Sequence, residues 1–122
     1  MLGKALGLVV SAMLKLRLGP RLELFTPDLF LEDEQDLCKY GWAARVIHVP
    51  GHTKGSIAIL TAKGSLFSGD ELFDSRRPPL IVEDLEELRS SIGKLRALPG
   101  VTTVYPGHGH PFPAERMGLM QL

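Results

Sequence analysis

The sequence is short of several things at once. It has one cysteine, Cys38, in 122 residues, so no internal disulfide can form, and a reducing, cytoplasmic compartment suits it. It has no net charge, because fourteen basic residues offset fourteen acidic ones. That balance removes any general attraction to nucleic acid or to an anionic surface. No basic-aromatic stripe replaces it, and the "RRPP" patch at 76–79 is too small to do so. No apolar run is long enough to span a bilayer, since the most apolar stretch, residues 1–18, is interrupted by Lys4, Lys15 and Arg17. Internal repeats, low-complexity tracts and a linker able to divide domains are also missing. What remains is a single domain's worth of chain with a core to bury, and four histidines, His48, His52, His108 and His110.

Leu6, Val9, Val10, Met13 and Leu16 recur at helical spacing, so residues 1–18 are predicted to form an amphipathic helix that covers a sheet; no clear cleavage site follows it. Gly19-Pro20 breaks the chain. Residues 22–25 read as a short strand, and 26–37 as a turn with two short strand pieces around an acidic loop. The clusters "LEDEQD" and "EDLEE" read as solvated faces without function. Three strands follow, in 42–49, which is rich in β-branched residues, in 56–62, which alternates imperfectly, and in 65–69; their tight connections predict largely antiparallel neighbours. Residues 82–98 carry Leu85, Leu88, Ile92, Leu95 and Leu98 on one stripe, with acidic residues first and Lys94 and Arg96 last, the charge order a helix dipole favours. Residues 101–105 read as a final strand, with a short helical piece near Ala114.

Three strand ends share a design. "VIHVPGHTKGS" puts His52 after a strand, "SLFSGD" puts Asp70 after one, and "TTVYPGHGHP" does the same for His108. Each follows a glycine, which permits unusual backbone angles or the close approach of another segment. Groups projecting from rigid strand ends can converge with small positional error. Two imidazoles and a carboxylate suit zinc, iron or manganese and are a poor set for calcium. Against this, a histidine in a turn is more often structural than ligating. His48 alternates with Val46 inside its strand and reads as the structural case, pointing away from the turn and packing or hydrogen bonding. His110 is either a support for His108 or simply exposed. Cys38 has no base beside it and reads as a small apolar filler at a strand edge.

The motifs "PGHTKGS", "FSGDELF" and "YPGHGHPF", in this order and with a helix between the last two, resemble the later motifs of the metallo-β-lactamase-fold hydrolase superfamily. The match runs over residues 27–111. The resemblance implies an α/β (α+β) architecture, half of an αββα sandwich, with a mixed, largely antiparallel sheet and flanking helices. By position, His52 resembles the histidine that completes the first metal's ligands, Asp70 the aspartate that bridges both metals and takes part in catalysis, and His108 the last ligand of the second metal. The implied chemistry is attack by a metal-bound hydroxide on a small ester or thioester. An ester or thioester is favoured over a β-lactam because the best-known zinc β-lactamases do not have aspartate at the bridging position. Oxygen-reducing di-iron relatives fit the same residues.

The superfamily's H-x-H-x-D-H run is absent, the first histidine being His48. The chain is therefore expected to be a single partial domain over 1–122, with a connecting helix at 1–18 and the C-terminal sheet-and-helix half at 21–122. Each metal would then fall short of three protein ligands, so metal binding is expected to be weak or absent and the chain inactive alone. The alternative is a non-catalytic residual half-domain that self-associates or complements a missing N-terminal half. Loss of the facing sheet should expose the strands in 42–49 and 56–62. The expected partners are a small-molecule substrate of the full-length parent and a second copy or the missing half; nucleic acid and membrane are not expected.

Overall fold

The computed structural model describes residues 25–75 and 79–120. The expected helix at 1–18 and the strand residues 22–24 lie outside them.

Five strands build one sheet, ordered as in the sequence: β1 (Ala44–His48), β2 (Ile57–Thr61), β3 (Ser65–Gly69), β4 (Thr103–Pro106) and β5 (Phe112–Pro113). β1, β2 and β3 pair antiparallel, as tight turns require. β4 then joins β3 in parallel, which a short turn cannot achieve. The crossover is made by helix α1 (Leu85–Arg96). Its N-cap is Asp84, whose carboxylate accepts from the backbone N–H of Glu86 and Glu87 at 2.9 and 3.0 Å, a contribution of about 1 kcal/mol.

One sheet face and one helix stripe make the main core. Ile47, Ala58, Leu60, Leu66 and Val104 meet Leu88, Ile92 and Leu95 of α1, with Phe112, Met117 and Met120 closing the end. Of the predicted stripe, Leu85, the first residue of α1, stays exposed. The 3-10 helix Ala114–Leu119 begins where a helical piece was expected.

Residues 101–105 do not form the last strand, since Phe112 and Pro113 add a short antiparallel one. The two strand pieces expected in 26–37 do not form either. A single bridge joins Asp36 to Arg45, and backbone bonds from Glu34, Leu37 and Val46 lay residues 34–37 along the outer edge of β1. That edging changes the expected exposure. Ala44 and Val46 are buried under Leu37, with Ile59 packed against them. The open part of this second face lies further along, where Phe67 stacks on Tyr105 at 5.0 Å between centroids and meets Trp42 at 6.2 Å. Phe67 and Trp42 stay 41% and 43% exposed.

Candidate metal centre

The ends of β1, β3 and β4 lie at one edge of the sheet, and each carries one of the expected donors. The first is set by a turn that only glycine can make. At Gly51 φ is +143°, and a Cβ there would lie inside the backbone of Leu88. Glycine lets the turn lie directly on the start of α1, where Gly51 O accepts from the N–H of Glu83 and Asp84 at 2.9 and 3.0 Å. The Ser91 hydroxyl donates to Pro50 O at 2.6 Å. The Thr53 N–H donates to the Ser56 hydroxyl oxygen at 3.2 Å, which closes the turn locally.

His52 leaves this turn with one end of its ring fixed. Its Nδ1 lies 2.6 Å from the carbonyl oxygen of Ile81. A carbonyl only accepts, so Nδ1 carries the proton. Nε2 then faces Asp70 Oδ2 at 3.6 Å, too far for a hydrogen bond. Asp70 Oδ1 accepts from His108 Nδ1 at 2.7 Å. The approach of β4 depends on a second glycine, because a Cβ on Gly107 would sit 2.6 Å from Asp70 Oδ1. The Gly107 N–H donates to Gly69 O at 2.7 Å and holds the two strand ends together.

His52, Asp70 and His108 are thus brought together. Their chemistry fits a divalent metal in kind. With Nδ1 of His52 engaged by Ile81, the Nε2 lone pair and a carboxylate oxygen face one another, two acceptors whose mutual repulsion a cation between them relieves. Fixing the far ring nitrogen of a histidine on a backbone carbonyl is also how ligating imidazoles are held. The fit is incomplete in number. Among the described residues no group of three or more His, Cys, Asp or Glu is arranged to hold a metal ion.

Beneath the turn lies Glu71, which the sequence did not single out. It is 1% exposed. One oxygen accepts from the His52 backbone N–H at 3.3 Å, and the other has no partner among the described residues. Burial pushes its carboxyl above the usual range, against the pull of the Ser56 hydroxyl and the His52 N–H. Within "GDELF" a glutamate reads as solvated, and only its place immediately after Asp70 at the end of β3 hints otherwise.

The other expectations divide. His110 is exposed. His48 hydrogen bonds as expected, through Nε2 to Lys54 O at 2.9 Å, but its partner belongs to the turn, so the ring does not point away from it. Cys38 is not a filler at a strand edge. It is exposed in the 3-10 helix Cys38–Tyr40, where the hydrogen bond with Asp36 pushes its thiol up and keeps it a poor nucleophile.

A cavity of about 530 Å³ opens beside the three donors. Among the described residues, no helix is long and apolar enough to cross a membrane.

No protein-family profile matches the chain. Among curated proteins it is 53% identical over 64 residues to a hydroxyacylglutathione hydrolase of Alkalilimnicola ehrlichii, covering 52% of this chain and 25% of the relative. It is 35% identical over 105 residues to a probable metallo-hydrolase of Methanocaldococcus jannaschii, covering 82% of this chain and 48% of the relative. Among solved structures, BLEG-1, a B3 metallo-β-lactamase, superposes with a TM-score of 0.70 at 30% identity, over 85% of this chain and 52% of that one. A di-iron-bound form of TTHA1623 superposes with a TM-score of 0.58 at 31% identity, over 97% of this chain and 56% of that one. The chain spans between a quarter and a half of the length of these curated relatives.

Proposed function

The chain belongs to the metallo-β-lactamase-fold superfamily, and from that premise we propose that it is the C-terminal part of a metal-dependent hydrolase acting on a small thioester or ester. The observation that carries the reading is the meeting of His52, Asp70 and His108, one from each of three strand ends, around a single carboxylate. Relatives named hydroxyacylglutathione hydrolase support the substrate class. The proposal includes a cytoplasmic setting, which an exposed free thiol at Cys38 suits.

A divalent metal, zinc in our reading with iron or manganese as alternatives, would be held by His52, Asp70 and His108, and would supply Lewis-acid polarisation of a carbonyl and a more acidic water. The chain's own part is positioning. Ile81 fixes the proton of His52 on Nδ1 and keeps Nε2 as the donor to a cation. Asp70 offers one oxygen toward each imidazole. Since a catalytic zinc ordinarily takes three protein ligands, the set is short for two metals, and we expect the chain to be inactive alone.

A second reading has its own observation. The open aromatic row Trp42, Phe67, Tyr105 favours a half-domain whose role is to associate, with a second copy or with a missing N-terminal half. Zinc titration of the purified chain separates the two. Stoichiometric uptake that disappears in His52→Ala, together with thioester cleavage on adding the complementary half, supports the hydrolase. No stoichiometric uptake by the wild-type chain, or uptake unchanged in His52→Ala, overturns the assignment.

A further inference from the structure

We propose that the cavity beside His52, Asp70 and His108 binds an apolar chain of the substrate, in preference to a polar group. The inference rests on the hydrolase reading for its place beside the reacting bond. It goes beyond it in naming what part of the substrate the chain selects.

The cavity holds about 530 Å³, and its far wall is Phe73, Pro79, Leu80 and Ile81. Among the described residues no Lys or Arg lines it, and the one carboxylate is Asp70. Among the described residues the wall thus offers mainly hydrocarbon to whatever lies against it. An apolar chain would cover side chains that now face water, for Leu80 is 83% and Ile81 38% exposed.

The wall is tied to the donors. Ile81 lends its carbonyl to His52 Nδ1 at 2.6 Å, and the next residues are fastened to the same turn. Glu83 N–H donates to Gly51 O at 2.9 Å, and Glu83 Oε2 accepts from Lys54 N–H at 2.9 Å. The bond that sets the imidazole therefore also sets the distance from it to the apolar wall. A substrate chain lying on Leu80 and Ile81 would place its polar end at the donors. The relatives are named for a hydroxyacyl group, which offers such a wall little to bury.

The test is equilibrium binding by calorimetry of the intact chain, with two series of small thioesters. One lengthens the acyl side from acetyl to hexanoyl on a constant thiol, and the other lengthens the alkyl thiol on a constant acetyl group. S-lactoyl thioester is the polar comparison. Affinity should rise about fourfold per added methylene in one series, and the series that rises identifies which side of the substrate the cavity takes. In Leu80→Asp, an exposed position that leaves the core intact, the rise with chain length should vanish. A lactoyl probe that binds as well as hexanoyl, or a chain-length dependence that survives Leu80→Asp, overturns the inference. Because binding is read without turnover, graded binding with no hydrolysis under any condition keeps the cavity and sinks the hydrolase. Hydrolysis indifferent to chain length does the reverse.

Discussion

The backbone of Gly107 passes so close to Asp70 that a single added methyl group would sit 2.6 Å from the carboxylate oxygen Oδ1. The same oxygen accepts from His108, one residue further along. Gly107→Ala should push Asp70 aside and weaken zinc binding by about tenfold, the loss of a contact on the order of 1.4 kcal/mol. Gly55→Ala, where a Cβ meets nothing within 4 Å, should leave uptake unchanged. Zinc titration of both variants, with far-ultraviolet circular dichroism to verify folding, checks this.

Gly51→Ala should act on the whole fold instead. Its Cβ would overlap the Leu88 backbone at a positive φ, so turn and helix must separate. We expect a loss of about 2–3 kcal/mol in urea unfolding. A loss below about 0.5 kcal/mol would show that the turn can shift without cost.

Glu71 has one oxygen on the His52 N–H and one without a partner. Glu71→Gln keeps a carbonyl acceptor and removes the buried charge, so stability at neutral pH should hold or rise. Glu71→Ala leaves the N–H unpaired and opens space, at a cost of about 1–3 kcal/mol. Thermal unfolding of the pair tests the sign: Glu71→Gln as damaging as Glu71→Ala would mean that the charge itself is needed.

Asp33 joins the loop before β1 to α1, accepting from Lys94 Nζ at 2.7 Å and from the His48 N–H at 2.7 Å. The Lys94 hydrogen bond, then that of His48, holds its carboxyl below the usual 3.8. A depressed folded value means stability that is present above 3.8 and lost as pH falls through the folded value. The pair is largely exposed, so the amount is small, about 0.5 kcal/mol. Asp33→Asn should lower stability at neutral pH by that much and converge with wild type in acid. Urea midpoints across the acid range measure it, and parallel curves would rule the contribution out.

What the sequence revealed and what it hid follow from range. β1, β2, β3 and α1 were legible because their side chains alternate or recur locally, as Val46, Leu60 and Ile92 do. The site edge was legible because a polar residue after glycine at a strand end leaves a local mark at His52, Asp70 and His108. Glu71 was not legible, since its burial is imposed by a turn nineteen residues earlier in the chain. The two-residue β5 carries no period at all. The edging of β1 by residues 34–37 rests on backbone bonds that leave no trace in side-chain pattern.

The parallel join of β3 and β4 has a kinetic side. Asp70 and His108 are 38 residues apart in sequence, and their strands can align only after α1 has crossed between them. Closing so wide a loop costs entropy before any contact repays it. The two donors should therefore meet late in folding, after the β1–β2–β3 meander has formed. An ion holding them together would act as a clasp on the finished molecule. It would leave the folding rate almost untouched and lengthen the lifetime of the folded chain.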